Sequence, residues 1–220
     1  MNNTEDYRDL MDVLSEVRRR VTDNRLIWCK SADTFETTVS HRQGLLLGGA
    51  WSPHFLRDST GAALDDIPWT RRLMNPRIVV TDKATDALAV WLPLLEAVAK
   101  AGESLLMVTS EISTEILHTL IVNSVRATLP GAVIRQGDGR AADALGKVWT
   151  SPPTQTDRVP QAAEAWVRRT GSVLFPAPGD SWRGDMQDVE IISVGGESYD
   201  HQQDRLRYLV RTIQTPVRQF

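Results

Sequence analysis

The chain has 220 residues, of which 41% are hydrophobic and 24% charged, a composition typical of a globular protein that buries a core as one or two domains. Its formal net charge of -3 gives no electrostatic reason to expect nucleic acid. No apolar run is long enough to span a bilayer, the polar start is unlike a signal peptide, and one cysteine excludes an internal disulfide, so we expect a cytoplasmic protein.

The first apolar segment along the chain is Leu26–Lys30, which contains the single cysteine, Cys29. The pattern predicts a strand, and a thiol there is expected to be buried and structural rather than nucleophilic. The four histidines, His41, His54, His118 and His201, form no metal-spaced pair with one another, with the cysteine or with carboxylates. We therefore expect neither a metal site nor a catalytic set.

Two short apolar runs in the middle of the chain predict buried strands, Arg77–Asp82 and Ser104–Ser110. Each is followed by a segment of helical periodicity, Leu92–Gly102 and Thr114–Ala127. The order strand, helix, strand, helix predicts a parallel α/β unit.

The first of these helices carries two apolar stripes, where a surface helix needs one. The stripes consist of Leu94, Val98 and Ala101 and of Leu92, Leu95 and Ala99. Pro93 suits a first turn, so the helix is predicted to begin near Leu92, and Gly102 suits its end.

The second helix is also apolar over more than one face. Ser113 is a predicted N-cap, and Glu115 a favourable first-turn charge. Ile116, Leu120 and Val125 are expected to anchor it to the sheet. By contrast, Leu117 and Val122, together with Leu95 of the first helix, are expected to be partly exposed. From patterning alone, the extra apolar width is explained by coverage from another domain or a dimer partner, or by a peptide-binding groove between the helices.

The segment Asn75–Arg135 resembles the heart of the apical domain of group I chaperonins, the GroEL type, most closely in LPLLEAVAKAG and TLIVNSVRA. The resemblance of this central segment is specific because it extends over tens of residues without a gap. Similar but weaker matches to the apical domain are Gly48–Asp58, Gly137–Leu145, Thr170–Phe175, Asp188–Val194 and Asp204–Gln214. Tyr7–Lys30 resembles the first half of the intermediate domain, a helix followed by a strand.

The resemblance implies an α/β fold of the chaperonin apical-domain type, a mixed sheet with flanking helices, in residues 42–220. Residues 1–41 would form an intermediate-domain-like remnant. It also implies a function: ATP-independent, holdase-like binding of exposed hydrophobic segments of non-native or partner proteins, with a chaperonin or co-chaperonin as a further candidate partner. The implied peptide-binding residues are Leu92, Leu95, Leu117, Ile121, Val122, Phe55, His54 and Trp51. Trp51 and Trp91 are expected to flank the groove, whereas Trp28, Trp149 and Trp166 are expected in the core or a domain seam.

Some family features are absent from the chain. No Walker loop, Gly-x-Gly-x-x-Gly or Asp-Gly-Thr-Thr-Thr signature occurs, and the equatorial domain has no counterpart. We therefore expect a protein that is not an enzyme and uses no cofactor. Met1 and the coherent ends favour a stand-alone module over a piece of a longer protein.

The groove itself also departs from the family. Ala50 and His54 stand where the family has tyrosines, and Trp51 replaces a leucine. An alternative function is therefore a dedicated adaptor or assembly factor that binds one specific partner peptide through the same groove.

Overall fold

The computed structural model describes residues 7–21, 23–57, 70–136, 139–153, 156–180 and 182–214. Within them the helices are α1 Arg8–Arg20, α2 Leu88–Lys100, α3 Thr114–Val125, α4 Arg140–Leu145 and α5 Tyr199–Gln214. The strands are β1 Ile27–Ser31, β2 Thr38–Leu47, β3 Thr70–Met74, β4 Arg77–Ala84, β5 Leu105–Ile112, β6 Gly131–Arg135, β7 Glu164–Arg168, β8 Ser172–Phe175 and β9 Met186–Val194. Part of the predicted Gly137–Leu145 match and the end of the Gly48–Asp58 match lie outside the described residues.

The chain divides into two compact units, which are described separately. Of the described residues, the first unit comprises those in 7–43 and 187–214, and the second comprises those in 44–57 and 70–186. The predicted boundary after residue 41 is close to the first division. The C-terminal part differs, since β9 and α5 group with the N-terminal residues rather than with the predicted domain 42–220. The reason is pairing across the sequence, because β9 lies beside β1 in a parallel ladder.

The first unit is built around the β1–β9 ladder, with α1 and α5 contributing to its core. Leu10, Leu14 and Val17 recur at helical spacing in α1, and all three are completely buried. Arg18, Arg19 and Arg20 lie in the last turn of α1, where cations interact favourably with the helix dipole. Cys29 is buried, as predicted.

The second unit contains the predicted parallel α/β layer. Strands β4, β5 and β6 lie side by side in that order, and both pairs are parallel. Their residues 78–80, 105–108 and 132–134 are almost wholly buried, as expected for strands covered on both faces. The end of β2 pairs with β8, which pairs with β7, which pairs with β3, all antiparallel. The fold is mixed α/β, compatible with an apical-domain-like fold without being specific to it.

Helix α2 begins earlier than predicted. It starts at Leu88 rather than near Leu92, and Pro93 lies inside it. Pro93 is the sixth helical residue, so its missing N–H leaves the carbonyl of Ala89 without its helical hydrogen bond, and its ring crowds that carbonyl. Trp91 in the added turn is 1% exposed, so its burial favours extending the helix towards the N-terminus. The predicted end is confirmed, because Gly102 follows the helix with φ +67°.

A bidentate ion pair between Arg77 and Glu103 joins the start of β4 to the loop before β5. Arg77 Nε lies 2.8 Å from Glu103 Oε2, and Nη2 lies 2.6 Å from Oε1. Arg77 Nη1 also donates to the carbonyl of Val159 at 3.2 Å. The hydrogen bonds from Arg77 lower the pKa of Glu103 below its ordinary value of 4.5.

A group whose pKa is lowered by folding stabilises the protein above its unfolded pKa and stops doing so as pH falls through the folded value. We therefore expect Glu103→Gln to lower the free energy of unfolding by about 1 kcal/mol at pH 7, the upper range for pairs of this exposure. The difference from wild type should shrink steadily below about pH 4.5. Urea unfolding of both proteins at pH 7 and pH 3 measures this difference in the free energy of unfolding. A deficit that is equal at both pH values would show that the charge of Glu103 is not what stabilises this corner.

Candidate functional site

Helix α3 has a well-defined start and one strongly buried face. The side chain of Ser113 accepts a hydrogen bond from the Ile116 N–H at 3.3 Å, which confirms the predicted N-cap. Ile116, Leu120 and Ser124 are at most 6% exposed and face the sheet. The Ser124 hydroxyl donates to the carbonyl of Gly131 at 2.8 Å, which fixes the end of α3 over the start of β6.

The rest of α3 retains apolar side chains that are not fully covered. Val122 is 44% exposed, and Leu117 and Ile121 are half-buried against the core. The predicted partial exposure of Leu117 and Val122 is therefore confirmed. Val125, predicted as an anchor, is only half-buried, and Ser124 takes its place on the buried face.

In α2 the predicted second stripe is divided between core and surface. Leu92 is 38% exposed, whereas Leu95 is only 5% exposed, so the prediction that Leu95 is partly exposed is wrong. The buried face of α2 is wide and runs from Trp91 through Leu94 and Val98. Leu95 lies about 65° from the middle of that face, close enough to pack into the core.

The segment before β3 forms a 3₁₀ turn, Pro53–Leu56, capped by Ser52, whose hydroxyl accepts from the His54 N–H at 3.3 Å. His54 is exposed and Trp51 is half-buried, so both can be reached from outside. Phe55 is 0% exposed and belongs to the core. Its predicted place in the groove lining is wrong because the tight turn directs this ring inward. Trp91, predicted to flank the groove, is also buried.

The positions of the helices show which apolar side chains lie together. With strands in the order β4, β5, β6 and right-handed crossovers, α2 and α3 lie side by side on one face of the sheet. The two helices contact each other, and α3 also contacts the 3₁₀ turn Pro53–Leu56. Helix α3 thus lies between α2 and this turn.

The predicted residues therefore form two apolar strips rather than one groove. Viewed along the axis of α3, Leu117 and Ile121 lie about 60° and 100° around the helix from Leu120, on the side of the 3₁₀ turn. Val122 lies about 160° to the other side, on the outer surface of α3 at its edge toward α2. On α2, the same angular measure places Leu92 and Leu95 on the side that faces α3. We call Leu92, Leu95 and Val122 the α2–α3 groove, and Leu117 and Ile121 the α3 flank. The exposed His118 lies on the outer surface of α3 between them.

Trp51 is fixed beside the α3 flank by its own hydrogen bonds. Its backbone N–H donates to the carbonyl of Val133 at 2.9 Å, and its indole N–H donates to the carbonyl of Thr109 at 3.2 Å. The guanidinium carbon of Arg135 lies 4.3 Å from the centre of the indole ring. Sequence reasoning missed Arg135, since only the antiparallel contact of residues 49–51 with β6 brings it onto Trp51.

Within the described residues, no three His, Cys, Asp or Glu side chains come together as metal ligands, and no helix combines the length and apolar character needed to cross a membrane. At the site, Leu92, Leu117, Ile121 and Val122 supply the accessible apolar surface, and Glu115, His118 and Arg126 are exposed polar residues of the same helix region.

No family model matches the chain. Over 122 residues it is 30% identical to the chaperonin GroEL of Acholeplasma laidlawii (strain PG-8A). The match covers 55% of this chain and 22% of that chaperonin, so the chain matches about a fifth of its relative. The similarity supports a relationship to chaperonins and leaves the activity of a whole chaperonin as a proposal for this chain.

Proposed function

We propose that the second unit binds exposed apolar segments of other polypeptides at the α2–α3 groove and the α3 flank. The observation that supports this best is the exposure of Leu92 and Val122, at 38% and 44%, on helices whose opposite faces are completely buried. The helices do not need these side chains to hold the fold, so they are available to a partner. The relationship to chaperonins agrees with a chaperone-related role.

The binding mechanism is the removal of apolar surface from water. Each aliphatic side chain that a partner buries fully against Leu92, Val122 or Leu117 contributes about 2 kcal/mol. Three or four such contacts, offset by the cost of association, give weak affinity. Leu92, Val122, Leu117 and Ile121 carry no polar group of their own that would select one sequence, so we propose that binding is broad.

We further propose that binding needs neither ATP nor a catalytic group, and that the chain is not an enzyme. The basis is the absence of phosphate-binding motifs from the sequence. Calorimetry with ATP and magnesium is expected to show no binding heat. A micromolar dissociation constant, equal to about 8 kcal/mol of binding free energy, would contradict this part of the proposal.

A dedicated adaptor is the second candidate, and the residues beside α3 favour it. Ala50 is 8% exposed, where the family has a groove tyrosine, and the half-buried Trp51 is fixed in one orientation by two hydrogen bonds. These changes give the α3 flank a shape of its own, which suits one defined partner.

A panel of unrelated, chemically unfolded proteins separates the two candidates. The proposed holdase-like function predicts that the chain binds most of them and delays their aggregation on dilution from denaturant. Binding to none, with a single partner peptide recovered from a random peptide library, would identify an adaptor. Sedimentation at the same protein concentrations shows whether a second copy covers the strips instead, which would abolish both kinds of binding.

A further inference from the structure

We propose that the α3 flank prefers apolar segments that carry an acidic residue, whose carboxylate pairs with the guanidinium of Arg135. The inference rests on the proposed function and names the chemistry of its partner. It is carried by the position of Arg135, by the way Trp51 holds it, and by the distribution of charge around it.

Arg135 lies level with the first turns of α3. The Ser124–Gly131 hydrogen bond joins the end of α3 to the start of β6, and α3 runs antiparallel to that strand. From Gly131 to Arg135 the strand advances about 13 Å, which corresponds to about nine residues of helix. Counting back from Ser124 reaches Glu115, one turn or less from Leu117. A segment lying on Leu117 and Ile121 therefore ends beside Arg135.

The guanidinium group of Arg135 is held in place by Trp51 and can still bind a carboxylate. It stacks over Trp51, whose ring is fixed by the Thr109 carbonyl, so little side-chain entropy is lost when Arg135 pairs with a partner. Arg135 is exposed, and no carboxylate of the described residues pairs with it. A planar guanidinium on an aromatic ring keeps its in-plane N–H donors free for a carboxylate.

Three acidic residues near this end of the sheet, Asp82, Glu111 and Glu115, lie on the β4, β5 or α2 side of α3. Glu111 on β5 pairs with Lys83 on β4 at 3.5 Å, and Asp82 is also on β4. Glu115 lies about 140° from Leu120 toward α2, away from the α3 flank. The side next to β6 therefore presents Arg135, which forms no ion pair with a carboxylate of the described residues, and it complements a negative charge.

Six labelled peptides with one apolar core test this: the end residue is Asp, Asn or Lys, and each of the three is placed at either the N-terminal or the C-terminal end. Fluorescence anisotropy in low salt is expected to show Asp peptides binding about three- to fivefold tighter than Asn peptides, the range for an exposed charge pair. Lys peptides should bind more weakly. Arg135→Gln is expected to remove the preference, so that Asp and Asn peptides bind equally, and Arg135→Lys should retain part of it.

Arg126→Gln is the matched control, because Arg126 is an exposed arginine about 120° around α3 from Leu120, on the side of α2. It should keep the preference for Asp. Equal binding of the Asp, Asn and Lys peptides by wild type would overturn the inference while leaving the proposed function intact. A preference for Asp that survives Arg135→Gln would do the same. If none of the peptides binds, whatever its end residue, the proposed function fails and the inference fails with it.

Discussion

Leu120→Glu is expected to unfold the second unit at room temperature or to bring it close to unfolding. Leu120 is 6% exposed and lies on the buried face of α3 between Ile116 and Ser124. A carboxylate placed there loses its hydration without gaining a partner, and the leucine contacts with the core are lost as well. We expect a loss of about 4 kcal/mol or more, a large part of the stability of a domain this size. Circular dichroism melts measure it.

Leu117→Glu is the matched control, made on the same helix with the same new side chain. Leu117 is half-buried on the α3 flank, so its carboxylate can turn toward water. The expected loss of stability is about 1 kcal/mol, whereas binding at the α3 flank is expected to disappear. If Leu117→Glu melts as low as Leu120→Glu, the α3 flank is part of the core and not a binding surface.

Local patterns in the sequence are enough to predict most elements of the parallel layer. The run Arg77–Asp82 becomes β4, because an apolar stretch of this length can bury both its faces only in a covered sheet. Helix α3 begins where Ser113 caps it. These features depend on neighbours in sequence, which a pattern records directly.

The exposure of individual side chains depends on packing between distant segments, and it is less predictable. Leu95 repeats at the spacing of Leu92 and Ala99, but the wide buried face of α2 covers it. Phe55 is buried because the 3₁₀ turn directs it inward, and one changed dihedral in such a turn reverses a side chain. The division of the strips by α3 follows from the handedness of the crossovers, which no stripe on a single helix can show.

The grouping of β9 and α5 with the N-terminal residues has the same origin. Ile27 faces Glu190 and Ser31 faces Val194 across a parallel ladder between segments far apart in sequence. Each segment taken alone predicts only a strand. Their partnership is decided by which strand edge is available in the folded chain.

Leu92→Glu is expected to weaken binding of unfolded polypeptides at the α2–α3 groove by at least tenfold, with little effect on stability. Leu92 is 38% exposed, so a glutamate there remains hydrated in the free protein. When a partner covers the groove, that carboxylate must be desolvated beside apolar groups, which costs a few kcal/mol. A cost of 1.4 kcal/mol already corresponds to a tenfold change in dissociation constant, and the site is weak to begin with.

Val90→Glu is the control on the same helix. Val90 is 48% exposed, even more than Leu92, but it lies on the side of α2 that points away from α3. The same charge is thus added at a similar distance along the helix without entering the groove. Anisotropy with one unfolded client should show normal binding for Val90→Glu and loss for Leu92→Glu. Equal loss in both would mean that added negative charge, rather than position in the α2–α3 groove, controls binding, and equal retention would place the binding surface away from α2.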